Sequence, residues 1–339
     1  ATDGRAERFA GFFDADHIHV VPSATVSKNP IKLVRAGFKI IKGYFSARRL
    51  IERLKPNLAI GFGGYPSVLP LFAASQADVP CIIHEQNAVM GRANKVLAKR
   101  VHAICTGFEL AHHDGFESKI IVTGNPVRPA IIKAGQTPFV APDEEYAFNL
   151  LVFGGSQGAQ FFSEIMPDVV SGMPFDMGSR LSITQQARPE DAEALKAFYL
   201  NNEIEAEIAP FFSDMAERLA KSHFVVCRAG ASTVSELAVV GRPSLLVPYP
   251  FALDHDQATN AASIVAQGGA QVVQQRQLTA ERLREILMVH MSKPVDLTAM
   301  AAAAKATAQP EAAATLAEIC EAITGGKVIA DIKDARNNS

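Results

Sequence analysis

The sequence predicts an α/β protein of two Rossmann-like domains, each a parallel sheet flanked by helices. Three observations carry this. Short apolar, strand-like runs alternate with helix-like stretches along nearly the whole chain, the pattern of strand–helix–strand units. Two of those runs end in glycine loops, "GFGGYPS" and "VFGGSQGA", that lead into helices. An acid- and proline-rich stretch, "GQTPFVAPDEEYA", separates two such series, and 339 residues suffice for two domains at about 150 residues each.

The first series reads "HIHVVPS" as a strand, "PIKLVRAGFKIIKGYFSARRLIERL" as a long helix, "NLAIGFGG" as a strand, "SVLPLFAASQA" as a helix and "PCIIHEQ" as a strand. A helix through Lys95 and Leu97 follows, then strands at "VHAICTG" and "IIVTGNP". The second series opens with "FNLLVFGGSQGAQFF" and continues through strand "LSITQQA", helix "PEDAEALKAFYL", strand "EAEIAPFF" and helix "DMAERLAKS". Next come "FVVCRAG" as a strand, a helix opening at Thr233, "PSLLVPYP" as a strand, "HDQATNAASIVAQGG" as one helix, strand "AQVVQ" and helix "TAERLREILMVHM". The alanine-rich stretch from Leu297 to Ile323 splits at Pro310, because proline cannot continue a helix interior. The expected division is an N-terminal domain over 1–130, a linker over 131–147 and a C-terminal domain over 148–309. A helix at 310–325 is expected to pack back on the first domain, with 326–339 a tail that frays.

Composition narrows the function classes. Hydrophobic residues at 48% and charged residues at 20% suit a globular chain with real cores. A net charge of −2 gives no electrostatic case for nucleic acid, and no run of about 18 apolar residues predicts a spanning helix. Cys81, Cys105, Cys227 and Cys320 are far apart, and no Cys/His spacing suggests zinc. No metal and no cofactor is expected.

The loops carry the chemistry. After "NLLVF", Gly154 and Gly155 let backbone N–H groups converge at a helix start, which suits a phosphate; a simple tight turn is the competing reading. No Lys-Ser/Thr follows, so it is not a P-loop. The next strand ends in Thr184, Gln185 and Gln186 rather than an acid, which disfavours a nicotinamide site. Gly63, Gly64 and Tyr65 form the second loop. Two such loops on a shared cleft suggest a donor and an acceptor that each carry a diphosphate. Glu85, Gln86 and Asn87 sit just past a strand end, and Arg128 lies between two prolines. In "CRAGASTVSE", Thr233 with Glu236 three residues on has capping-box spacing, so Glu236 is read either as a cap or as a ligand-holding carboxylate.

The long helix carries two stripes. Ile31, Val34, Phe38, Ile41 and Phe45 recur at helical spacing, and Lys32, Arg35, Lys39 and Lys42 follow one position round. From Lys28 to Lys55 nine Lys/Arg stand against Glu52 alone. Such a face fits an anionic lipid surface; a core-packed helix with a solvated basic face fits equally.

Taken in order, "GFGGYPS", "HEQNAVMGRANK", "GNPVR", "GGSQGA", "CRAGASTVSE" and "DHDQATNA" resemble the MurG family of UDP-N-acetylglucosamine:undecaprenyl-diphospho-muramoylpentapeptide N-acetylglucosaminyltransferases. The resemblance covers nearly the whole chain. It implies a GT-B fold, with inverting transfer of N-acetylglucosamine from UDP to the C4 hydroxyl of the muramoyl sugar of lipid I. The product is lipid II, made at the cytoplasmic face of the bacterial inner membrane, and the partners are UDP-N-acetylglucosamine, lipid I and an anionic membrane surface. By motif, Glu236 resembles the family's ribose-binding glutamate and Ser156 its diphosphate contact. Asn87, Arg128, Gln257 and the run Ala231, Ser232, Thr233, Val234, Ser235 and Glu236 match donor-binding positions. Phe212 falls where the family has an aliphatic residue near the uracil. Gly63, Gly64 and Tyr65, with Glu85, are implied for the acceptor, and the two-striped helix for the membrane.

One departure concerns catalysis. The family opens with a further glycine loop, G-G-T-G-G-H, whose histidine is the proposed base, and no such stretch occurs in this sequence. The expectation is a chain lacking that loop and its strand, with the catalytic residue unknown, that binds donor poorly or moderately and transfers sugar barely at all. The competing functions are a UDP-N-acetylglucosamine 2-epimerase and a non-catalytic UDP-sugar-binding remnant.

Overall fold

The computed structural model describes residues 14–23, 30–143, 147–252 and 256–337, without the side chains of 15, 30–36, 156–158 and 337. The chain divides into two compact units, Ala1–Gly124 with Glu311–Ser339, and Asn125–Pro310.

The first unit runs α1 (Pro30–Leu54), β1 (Ala59–Gly61), α2 (Gly64–Gln76), β2 (Cys81–Glu85), α3 (Arg92–Ala98), β3 (Ala103–Thr106) and β4 (Ile120–Val122). Its strands form a parallel sheet in the order β1-β2-β3-β4. Every residue of β2 and β3 is buried, which is why these strands read as apolar runs rather than alternating ones. Leu71, Ile83, Leu97 and Ile104 fill one side of the sheet. The expected strand at "HIHVVPS" reduces to a single bridged residue, Val20, after a short turn at Ala15–His17; Pro22, two residues on, cannot donate to a ladder. The long helix ends where Lys55 turns left-handed, at φ 43°, just before Pro56.

The second unit contains α4 (Pro129–Ala134), β5 (Phe148–Phe153), α5 (Gly155–Ser171), α6 (Phe175–Gly178), β6 (Leu181–Gln186), α7 (Pro189–Asn201), β7 (Glu205–Ala209) and α8 (Met215–Lys221). It continues with β8 (Phe224–Cys227), α9 (Ala231–Val240), β9 (Ser244–Leu246), α10 (Asp256–Asn260), α11 (Ala262–Ala266), β10 (Ala270–Val272), α12 (Ala280–Ser292) and α13 (Pro294–Ala306). All six strands are parallel, in the order β10-β9-β8-β5-β6-β7. The order reverses between β5 and β8, the place where an open α/β sheet forms its ligand crevice. Phe148, Leu150, Phe162, Leu181, Leu195 and Tyr199 are among the buried residues beneath it.

Several expectations are corrected here. The linker range 131–147 lies inside the second unit; α4 packs against α8 and α9, and Lys305 Nζ donates to the Gly135 carbonyl at 2.7 Å. "HDQATNAASIVAQGG" contains two short helices rather than one, and the last residue of the first, Asn260, is buried and donates to the Ala229 carbonyl at 3.3 Å. The helix expected at Thr233 starts at Ala231, with Gly230 as N-cap and no side-chain cap. The capping box is therefore absent, since Thr233 already lies inside the first turn. The C-terminal helices α14 (Ala312–Thr324) and α15 (Ile329–Asn337) return to the first unit. Leu316, Ile319, Ile323 and Ile332 cluster with Ile82, Ala103 and Ile121. The expected tail from 326 is thus largely helical, anchored by Ile332 and by Lys333 Nζ donating to the Glu117 carbonyl at 2.7 Å.

Candidate functional site

The second unit gathers its polar groups at the C-terminal ends of β5, β8, β9 and β10. After β5, Gly154 caps α5 and Gly155 takes φ 67°, a left-handed turn that favours glycine. The Gly155 N–H donates to Gln186 Oε1 at 2.9 Å, and Gln186 Nε2 donates to the Pro210 carbonyl at 3.0 Å. A polar side chain at the end of β6 therefore already engages an amide at the start of a 17-residue helix, whose dipole favours negative charge there. The side chain of Ser156 lies outside the described residues.

After β8, the small residues of "RAGA" lead directly into α9. Glu236 is engaged by Arg128, with Nε to Oε1 at 3.1 Å and Nη2 to Oε2 at 3.3 Å. The carboxylate side chain is 16% exposed and the guanidinium side chain 55%, so the arginine lies over a mostly buried acid. Burial raises the Glu236 carboxyl above the usual range, and the Arg128 charge opposes this. Asn125 Nδ2 donates to Ser235 Oγ at 3.0 Å, and Ser235 Oγ donates to the Ala231 carbonyl at 3.0 Å. These bonds fasten the segment bearing Arg128 to α9. Val234 is in the core, so of the run Ala231–Glu236 its side chain turns away from the site.

After β9 and β10, the Tyr249 N–H donates to Gln257 Oε1 at 2.8 Å. Arg228, buried at the end of β8, donates from Nη1 to the Val247 carbonyl at 3.1 Å and from Nη2 to Gln275 Oε1 at 2.8 Å. Its guanidinium lies 5.0 Å from the Phe162 ring centroid and 5.5 Å from that of Tyr249. Burial lowers its pKa to about 10, so it stays cationic at neutral pH. A cavity of about 280 Å³ opens alongside, lined by Pro248, Tyr249, Pro250, Gln257, Ala258 and Gln274 to Arg276.

Residue-by-residue reading missed Arg228, Asn125, Gln186 and Gln275. Arg228 and Gln186 carried a signal, as polar residues at the ends of strand runs. For none of the four was the partner legible, because it lies far off in sequence. The ring of Phe212 is buried under Arg218, 4.1 Å from the guanidinium carbon, whereas the adjacent Phe211 is exposed.

In the first unit, Gly63 and Gly64 take φ 77° and 70° at the start of α2, followed by the exposed Tyr65. Ser67 Oγ donates to the Gly63 carbonyl at 2.6 Å and closes the turn. Glu85 is buried with both oxygens engaged, Oε1 by the Asn87 N–H at 3.1 Å and Oε2 by the Gly91 N–H and Asn94 Nδ2 at 2.8 Å each. It organises the loop bearing Asn87 and does not present a free carboxylate. Next to it, His84 Nε2 donates to the Gly124 carbonyl at 2.9 Å, and burial lowers its pKa. Asn87 thus belongs to this loop of the first unit, while the other donor-binding candidates belong to the second.

On α1, Phe38, Ile41 and Phe45 are 72%, 57% and 53% exposed, flanked by the exposed Lys39 and Lys42. The opposite face packs, with Ala47 buried and a Cβ on Gly43 falling 2.0 Å from the Pro22 carbonyl oxygen. The core-packed reading of the apolar stripe fails for these three residues. The side chains of Ile31, Lys32, Val34 and Arg35 lie outside the described residues. Among the described residues, no group of His, Cys, Asp and Glu could hold a metal ion, and no helix is long and apolar enough to cross a membrane.

Comparison with known proteins adds independent findings. The glycosyltransferase family 28 N-terminal domain matches residues 4–106 and its C-terminal domain residues 149–316. The chain is 55% identical over 337 residues to the UDP-N-acetylglucosamine--N-acetylmuramyl-(pentapeptide) pyrophosphoryl-undecaprenol N-acetylglucosamine transferase of Rhizobium meliloti, covering 99% of this chain and 90% of that protein. The enzyme of the same name from Sinorhizobium fredii matches over the same shares, also at 55% identity. Among solved structures, Acinetobacter baumannii MurG superimposes with a TM-score of 0.74 at 30% identity, covering 95% of this chain and 89% of that one. A UDP-GlcNAc 2-epimerase from Neisseria meningitidis shares the fold, with a TM-score of 0.62 at 13% identity over 94% and 89% of the two chains.

Proposed function

This chain belongs to glycosyltransferase family 28, and on that premise we propose how its second unit seats a UDP-linked sugar and its first unit meets a lipid-borne acceptor. The protein is a GT-B glycosyltransferase that moves N-acetylglucosamine from UDP onto N-acetylmuramyl-pentapeptide pyrophosphoryl-undecaprenol, giving lipid II. The observation that carries the donor reading is Glu236, an acid at the switch point of the second sheet, mostly buried and engaged by Arg128. Two vicinal ribose hydroxyls are well matched to one carboxylate, because both can donate to it.

The remaining assignments follow the geometry. The amides opening α5, with Ser156, receive the diphosphate. Gln257 faces the sugar from the cavity wall. Arg128 holds Glu236 in place, and Ala231 to Ser235 supply the close backbone. Asn87 keeps its motif-based assignment to the donor, and Glu85, which orients the loop that bears it, has an indirect part. Gly63, Gly64 and Tyr65 receive the acceptor's diphosphate at the start of α2. Attack by the C4 hydroxyl of the muramoyl sugar inverts the anomeric centre.

We read the exposed Phe38, Ile41 and Phe45 with Lys39 and Lys42 as the face that rests on an anionic membrane, a reading that supports a peripheral location at the cytoplasmic face of the inner membrane. Titration with UDP by calorimetry, beside Glu236→Ala, tests the donor site. A loss of about tenfold or more in affinity is expected, as for a hydrogen bond to a charged partner; unchanged affinity would move the ribose elsewhere.

A further inference from the structure

The geometry points to Gln275 as a sugar-recognising residue whose orientation is set by Arg228, an inference that rests on the donor-site reading above. Arginine has five N–H donors and no acceptor. Its Nη2 lies 2.8 Å from Gln275 Oε1, so the amide of Gln275 must turn its oxygen towards Arg228. The opposite flip would set donor against donor. The same logic fixes Gln257, because the Tyr249 backbone N–H can only donate and takes Gln257 Oε1 at 2.8 Å. Both glutamines line the cavity of about 280 Å³. With both oxygens turned to protein N–H groups, the two N–H donors of each amide remain to be satisfied. Among the described residues neither Nε2 has a hydrogen-bond partner.

The cavity wall therefore carries two oriented donors and the apolar surfaces of Pro248, Tyr249 and Pro250. Such a wall selects a ligand that presents acceptor oxygens beside an apolar group. The acetamido group, with one carbonyl oxygen and one methyl, has that composition, and the sugar hydroxyl oxygens add further acceptors.

Arg228 is the positioning residue. It bonds the β9 end through the Val247 carbonyl and the β10 loop through Gln275, and it is buried against Phe161, Phe162 and Tyr249. A guanidinium held by rings and carbonyls is pre-organised, so Gln275 loses little freedom on binding sugar.

Calorimetric titrations of UDP and of UDP-N-acetylglucosamine separate this inference from the donor-site reading, because UDP lacks the sugar. The wild-type chain and Glu236→Ala with UDP report on the donor site itself. Gln275→Leu is expected to weaken UDP-N-acetylglucosamine about tenfold, the size of one neutral hydrogen bond, and to leave UDP within twofold. Gln275→Glu keeps the contact to Arg228 and loses the donor, so it should reproduce the sugar-specific loss without a fall in Tm. Arg228→Met should give the same sugar-specific loss, and adding Gln275→Leu to it should cost little more. Equal weakening of both ligands by Gln275→Leu and Gln275→Glu, or no weakening of either, would overturn the inference. Full additivity of the two losses would overturn the role given to Arg228.

Discussion

Glu236 illustrates how a single residue separates stability from function. Burial raises its carboxyl pKa, and Arg128 only partly offsets that. A carboxyl whose folded pKa is raised contributes stability when protonated, below its unfolded value, and loses it as pH rises through the folded value. At neutral pH the ionised acid is therefore a burden on the fold. Glu236→Gln should keep or raise Tm at pH 7.5 in a thermal melt while weakening UDP by about tenfold; a fall in Tm would mean the ion pair with Arg128 outweighs the burial. Gly241 is a purely structural counterpart. It ends α9 at φ 66°, with a new Cβ 3.1 Å from Lys305 Cβ. Gly241→Ala should cost about 1–2 kcal/mol, since alanine resists the left-handed C-cap, read as a shift in the urea midpoint.

Among the elements, α1 shows what hydrophobic spacing can and cannot settle. The spacing from Ile31 to Phe45 called for a helix, and the helix spans Pro30–Leu54. The same spacing left two faces to choose between, because an apolar stripe is needed both by a helix docked on a core and by one docked on lipid. Packing decides for Phe38, Ile41 and Phe45: the small residues Gly43 and Ala47 occupy the face pressed against the protein. Replacing Phe38, Ile41 and Phe45 together by serine should reduce sedimentation with vesicles containing anionic lipid by at least tenfold. The circular dichroism spectrum should not change, because these side chains are already exposed. Undiminished sedimentation would assign lipid contact to another surface. In α9 the local motif misled for a different reason. Thr233 and Glu236 have capping-box spacing, yet Gly230 opens the helix earlier, and Glu236 turns to Arg128, 108 residues away in sequence.

The whole molecule carries a pH dependence written in its buried and half-buried histidines. Burial lowers the pKa of His84 in the first unit and of His223 and His290 in the second. His290 is packed against Phe224 with ring centroids 4.5 Å apart, and among the described residues neither ring nitrogen has a hydrogen-bond partner. A histidine held neutral in the fold contributes stability that is full above its unfolded pKa of about 6.5 and is lost as pH falls below it. Stability should therefore decline from about pH 6.5 downwards, by up to about 1.4 kcal/mol per pH unit for each such histidine. Urea denaturation at pH 7.5 and 5.5 measures this, and His290→Phe should flatten the decline. An unchanged slope in that variant would show that water reaches the ring.

The sequence by itself determined the two alternating series, the glycine loops and the order of the motifs, and the resemblance of those ordered motifs to a known family implied the reaction. These are local patterns, set by apolar periodicity and by glycine where the backbone must turn left-handed. Only the tertiary structure decided that the linker range belongs to the second unit, that Glu85 spends its carboxylate on its own loop, and that Phe212 is buried while Phe211 is not. It alone joined Arg128 to Glu236, Gln186 to Gly155 and Arg228 to Gln275. The physical reason is common to all of them: a polar side chain is satisfied by whichever partner the packed strands bring within about 3 Å, and that partner's position along the chain is unconstrained.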